Sequence, residues 1–142
     1  GFLWDEGFHG LLLARWQPRI FLEVLGHWLE LQQENGWIPR EVPLGAEQER
    51  RVPKQFLTQD SKVANPPSFL LPLSWLLGLG LKEDEKLARQ AGLSGKELRD
   101  LVLSFSAQAL PRLGAWFAFL EKSQKSSNPK CFRWQGRTAA HC

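Results

Sequence analysis

The sequence predicts an all-α fold. Three observations carry that reading. Apolar residues recur at three- and four-residue intervals over several long stretches, no stretch alternates with period two, and the breaks fall at prolines and glycines, where helices start and stop. The first helix is predicted from Phe8, Leu11, Leu12, Leu13 and Trp16. Pro18 ends it and suits the first turn of the next, because its φ is preset and its missing N–H has no partner to lose there. Ile20, Phe21, Val24, Leu25, Trp28, Leu29 and Leu31 then mark an amphipathic helix, closed by Asn35-Gly36 as a left-handed cap signal. Two helices meeting at a proline predict an antiparallel hairpin.

Residues 36–66 break the pattern with Pro39, Pro43, Gly45, Pro53 and Pro66. A connection this long in a compact domain is functional or disordered. Trp37, Ile38, Val52, Phe56 and Val63 favour burial, so the expectation is an ordered loop over the mouth of a site. A Leu-rich third helix is expected over Ser68–Leu81, after the rigid Asn65-Pro66-Pro67, with Asn65 as its cap or facing the site. Lys82–Ala91 reads as a short surface helix. Ser94–Ser123 reads as a long amphipathic helix, opened by a Ser94/Glu97 capping box and kinked or split at Pro111. The polar end, Ser126 to Cys142, is expected to be poorly ordered. Helix pairs of this kind suit a bundle, a solenoid or an (α/α) toroid, and no repeat of solenoid length is present.

A chain of 142 residues is enough for one domain with a core, and 43% hydrophobic with 23% charged residues is ordinary globular composition. The net charge of +3 comes from interspersed cations and acids, so there is no nucleic-acid stripe. No apolar run reaches membrane-spanning length and no signal peptide is visible. The chain has no Met and opens on a dense motif, which reads as a piece of a longer protein. Cys131 and Cys142 match no zinc spacing; a disulfide in an oxidising compartment and two free thiols both fit. No Asn-x-Ser/Thr glycan acceptor occurs.

The chemistry concentrates at the start. Gly1-Phe2-Leu3-Trp4-Asp5-Glu6-Gly7-Phe8-His9 sets two carboxylates among large aromatics. Rings contribute most when buried, and ionised carboxylates resist burial unless paired. A sugar site uses both: a ring covers the C–H face of a pyranose and a carboxylate accepts from its hydroxyls. The plainer alternative makes Phe2, Trp4 and Phe8 core and Asp5 a helix cap. Glu6-x-x-His9 matches half of a di-iron bundle site, but Glu23 and His27 have the wrong spacing for the second half, so no metal is expected. In the loop, Gly36-Trp37-Ile38-Pro39-Arg40-Glu41 offers a stacking surface, a planar donor fork and an acceptor. Arg40 could serve a sugar hydroxyl or hold Asp5; the plainer alternative is a surface ion pair worth about 0–1 kcal/mol.

That nonapeptide, with Gly26-His27-Trp28-Leu29, Gly-Trp-Ile-Pro-Arg-Glu and Ala64-Asn65-Pro66-Pro67, resembles the processing α-glucosidases of glycoside hydrolase family 63. The resemblance runs from residue 1 to about Gly136. It implies part of an (α/α)6 toroid, with residues 1–137 an incomplete N-terminal portion of the catalytic domain and 138–142 a divergent tail. It also implies an exo-acting, inverting enzyme that removes the outermost α-1,2-linked glucose from the triglucosylated N-glycan precursor. The implied place is the endoplasmic reticulum lumen, with the parent protein anchored by a single membrane segment absent here. No cofactor or metal is implied. By similarity Phe2, Trp4, Asp5, Arg40, Glu41 and Phe56 line the pocket of the terminal glucose, while Glu6 and His9 support it. An inverting pair of carboxyl groups stands about 6.5–9.5 Å apart. The family's general acid and base are expected beyond Cys142, so no catalytic residue is assigned in this chain. The alternative function is a helical binding or scaffold module with an aromatic partner face. Convergence of Trp4, Asp5, Arg40 and Glu41 favours the first reading, and dispersal the second.

Overall fold

A computed structural model describes residues 1–43, 45–128 and 131–133; the side chains of residues 48, 55 and 56 are not described. Seven helices occur among these residues: α1 (Leu3–Trp16), α2 (Pro18–Glu30), α3 (Ala46–Arg51), α4 (Lys54–Leu57), α5 (Leu70–Gly80), α6 (Glu85–Gln90) and α7 (Gly95–Ser123). The only pairings of extended backbone among the described residues are two isolated bridges, so the all-α expectation holds. Helix α1 packs on α2 and α5, and α7 packs on α2, α5 and α6. The core between them holds Leu3, Phe21, Leu25, Phe69, Leu76 and Leu98, all buried, with the Phe21 and Phe69 rings 6.3 Å apart.

Helix α1 departs from expectation twice. It starts at Leu3, so most of the opening motif is helical, and its N-cap is Phe2 without a side-chain hydrogen bond. Asp5 is therefore not the cap. It stands with Glu6 in the first turn, where the helix dipole favours carboxylates. The buried face is also not the one that periodicity marks. Leu3, Gly7, Gly10 and Ala14 point inward, while Phe8, Leu12 and Trp16 are 48%, 73% and 66% exposed. Close approach explains the inversion. A Cβ on Gly7 would stand 2.6 Å from the Ser68 carbonyl carbon, and one on Gly10 would stand 2.8 Å from the Phe21 ring. Ser68 fills the space over Gly7, and its hydroxyl donates to the Trp4 carbonyl (2.8 Å).

Gln17 alone joins α1 to α2, with Pro18 in the first turn of α2 as expected. Helix α2 buries Pro18, Phe21, Leu22, Leu25, Trp28 and Leu29 on one side. Its end is held by reciprocal bonds to α7. The Arg112 Nη1 donates to the Leu29 carbonyl (2.7 Å), and Gln32 Nε2 donates to the Arg112 carbonyl (2.8 Å). Gly36 turns the chain at φ 89°, and a Cβ there would lie 2.2 Å from the Ala115 carbonyl oxygen.

The long connection is ordered from its start: Trp37 and Ile38 are buried and the Trp37 indole N–H donates to the Val63 carbonyl (3.1 Å). It is not purely a loop, since α3 and α4 lie within it, short and charged enough to show no apolar period. Helix α5 is capped by Phe69, not by Asn65, because a turn over residues 66–69 intervenes. The short surface helix is confined to α6 by Asp84, whose carboxylate accepts from the Leu87 N–H (2.8 Å). The capping box of α7 is present in both directions. Pro111 does not split α7, which is a single helix in which that proline is exposed. Cys131 is an exposed free thiol. Of the end expected to be poorly ordered, 126–142, the described residues 126–128 and 131–133 fold back on the end of α7, with the Arg133 N–H donating to the Gln124 carbonyl (2.8 Å); Cys142 and the divergent tail, 138–142, lie outside the described residues. Among the described residues no helix is long and apolar enough to cross a membrane, and no cluster of His, Cys, Asp and Glu could hold a metal ion.

Candidate functional site

The opening segment and the Arg40–Glu41 segment, distant in sequence, lie side by side. The Leu3 N–H donates to the Arg40 carbonyl (2.8 Å) and the Val42 N–H donates to the Gly1 carbonyl (2.9 Å). Phe2 thus faces Glu41 across an isolated antiparallel bridge. The pairing has a local cause on each side. Leu3 is buried and fixes the start of α1, whereas buried Trp37 and Ile38 hold the chain just before Arg40.

Along this seam Phe2 is 55% and Trp4 47% exposed, and the Trp4 ring stands 6.1 Å from Phe8 at a tilt of 51°. These rings are therefore not core, contrary to the plainer alternative. Asp5 is exposed in the first turn of α1. Arg40 and Glu41 are both partly buried. The buried Arg40 Nε has no hydrogen-bond acceptor among the described residues. Arg40 and Asp5 form no ion pair there, so the arginine is not spent on holding that carboxylate. Glu6 and His9 meet each other (3.3 Å, one helical turn apart), which accounts for their spacing without a metal. Phe56 belongs to α4, and its side chain lies outside the described residues. The structure thus pairs the backbone around Phe2 with that of Arg40 and Glu41, and Trp4 and Asp5 follow in the first turn of α1.

Sequence reasoning missed Gln59. Its Oε1 accepts from the Arg40 N–H (2.7 Å) and the Glu41 N–H (3.0 Å), while its Nε2 donates to the Glu41 carbonyl. A single glutamine in an aperiodic stretch carries no signal of this role. A separate cleft of about 540 Å3 lies between α2 and α7, bordered by Arg19, Glu23, His27, Glu30, Leu101 and Phe105, and includes none of the predicted site residues.

Helical throughout its described core, the chain is of the all-α class. It belongs to glycosyl hydrolase family 63: residues 1–142 match the family model described as the glycosyl hydrolase family 63 C-terminal domain. Over 137 residues it is 42% identical to Alpha-glucosidase 2 of Arabidopsis thaliana, covering 96% of this chain and 16% of that protein. It is equally similar to Mannosyl-oligosaccharide glucosidase GCS1 of the same plant, covering 15% of it. A probable mannosyl-oligosaccharide glucosidase of Schizosaccharomyces pombe is 32% identical across the whole chain, which corresponds to 21% of that protein. The chain therefore spans about one-sixth to one-fifth of the length of these relatives.

Proposed function

We propose that the chain supplies part of the glucose-binding wall of an inverting exo-α-glucosidase. The substrate is the triglucosylated N-glycan precursor, from which the terminal α-1,2-linked glucose is removed in the endoplasmic reticulum lumen. The parent protein is held there by a membrane segment outside this chain. The glucosidase names of the relatives support the reaction class. The observation that supports the binding role is the Phe2–Glu41 pairing, which holds the Arg40–Glu41 segment against the start of α1, where Phe2, Trp4 and Asp5 are exposed.

Each group has a part. Phe2 and Trp4 cover the apolar face of the sugar, and Asp5 and Glu41 accept from its hydroxyls. The planar Arg40 guanidinium supplies donors to the sugar hydroxyls. No general acid or base is assigned to these residues, so the chain binds without hydrolysing. Titration of the 142-residue chain with an α-1,2-linked glucose disaccharide, followed by 15N NMR, tests this. The Arg40 Nε–H signal should move in a saturable way, and Asp5→Ala should abolish the response while the circular dichroism spectrum stays unchanged. An unmoved wild-type signal, or equal binding by Asp5→Ala, would refute the site. Glucose release from a triglucosylated glycan above a buffer blank would refute the placing of acid and base elsewhere.

A further inference from the structure

Gln59 lies apart from the residues that resemblance assigns to the sugar, yet its carboxamide makes more contacts with their backbone than any of them makes with each other. On one edge, the Arg40–Val42 segment pairs with Gly1–Leu3. Elsewhere this segment meets the Gln59 side chain, which accepts from two successive N–H groups and donates to a carbonyl. The two-way pairing of the amide with the Glu41 N–H and carbonyl imitates a neighbouring strand residue, and the bend at Arg40 turns a second, successive N–H onto the same oxygen. An amide is the one side-chain type, besides a protonated carboxyl, that offers an acceptor and a donor in this arrangement. The segment between Pro39 and Pro43 has no helix or sheet of its own to fix it. Its φ/ψ values, and hence the directions of the Arg40 and Glu41 side chains, depend on these two sets of contacts.

We infer that Gln59 is a positioning residue for sugar recognition: it clamps the Arg40–Glu41 backbone against the start of α1 and so aims both side chains at the ligand. The inference rests on the proposed glucose site. It also ties that site to the α4 connection, since Gln59 follows α4 by two residues. Movement of α4 therefore alters sugar affinity through Gln59, in addition to any part that Phe56 plays.

The test uses the 142-residue chain with the α-1,2-linked glucose disaccharide as probe. Gln59→Leu removes all three hydrogen bonds at similar volume. Gln59→Glu keeps the length and the acceptor but replaces the donor with an oxygen facing the Glu41 carbonyl. Amide hydrogen exchange should accelerate at Arg40 and Glu41 in Gln59→Leu, with the α2 and α7 amides unchanged, and disaccharide affinity should fall about tenfold. In Gln59→Glu the two amides should stay protected while affinity falls by a smaller factor. If Gln59→Leu fails to fold, Gln59→Glu alone decides: affinity equal to wild type overturns the inference. Wild-type binding retained with the same midpoint in Gln59→Leu overturns the positioning role and leaves the sugar site standing. No binding by wild type removes the sugar site and this role together.

Discussion

Gly7 gives the sharpest test of how α1 is seated. Alanine in the interior of a helix is ordinarily better than glycine by about 1 kcal/mol. At Gly7 the new methyl would stand 2.5 Å from the Ser68 Cβ and 2.6 Å from its carbonyl carbon. The second contact is with backbone, so no rotamer change relieves it, and overpacking of this kind costs about 1–3 kcal/mol. Displacing Ser68 also breaks its bond to the Trp4 carbonyl, a further loss of about 1 kcal/mol. With the costs near their upper end, the net effect of Gly7→Ala is destabilisation by about 2–3 kcal/mol. For a domain of this size that lowers Tm by about 6–9 °C. Gly114 in α7 is the matched control: its added Cβ would meet nothing within 4 Å. Gly114→Ala should therefore raise Tm by about 3 °C. Thermal unfolding of the three chains by circular dichroism reads both signs in one experiment. A Gly7→Ala chain at least as stable as Gly114→Ala would mean that Ser68 does not sit against α1.

Two further outcomes concern α7. The Ser94 backbone N–H, and then its hydroxyl, hold the exposed Glu97 carboxylate below its ordinary pKa. A lowered folded-state pKa makes this contribution fully present above the ordinary glutamate value and lost as pH falls through the lowered one. NMR titration should show Glu97 protonating below the ordinary glutamate value, and Ser94→Ala should bring it back towards that value; an unmoved titration in Ser94→Ala would contradict the capping box. Arg112→Met should lower stability by about 1 kcal/mol by removing the donor on the Leu29 carbonyl. The urea midpoint should drop with an unchanged slope, and a midpoint equal to wild type would show that the Arg112 side chain does not hold the α2 end.

The parts of the fold legible in sequence are those whose causes are local. Helix α2 follows from one apolar face and Pro18, and α7 from Ser94 and Glu97 placed one turn apart. The seating of α1 was not legible, because its inward residues are glycines and the groups that exploit them, Ser68 and Phe21, come from elsewhere in the chain. Periodicity counted Leu12 and Trp16 as core when they are outward. Helices α3 and α4 were hidden by prolines and charge, and Asn65 was a plausible cap only until the turn before α5 was known. At the site, residue types flagged Trp4, Asp5, Arg40 and Glu41, and the pairing of Phe2 with Glu41 brings the two segments that carry them side by side. Gln59 was invisible, since its role depends on which backbone it meets and not on its neighbours in sequence.

The inverted seating of α1 separates two properties that most helices combine. Glycines and alanine govern how firmly the rod is docked, whereas Trp4, Phe8, Leu12 and Trp16 govern what its outer side adheres to. Colloidal behaviour and conformational stability of the free chain thus reside on opposite sides of one helix. Each can be altered while the other is left alone.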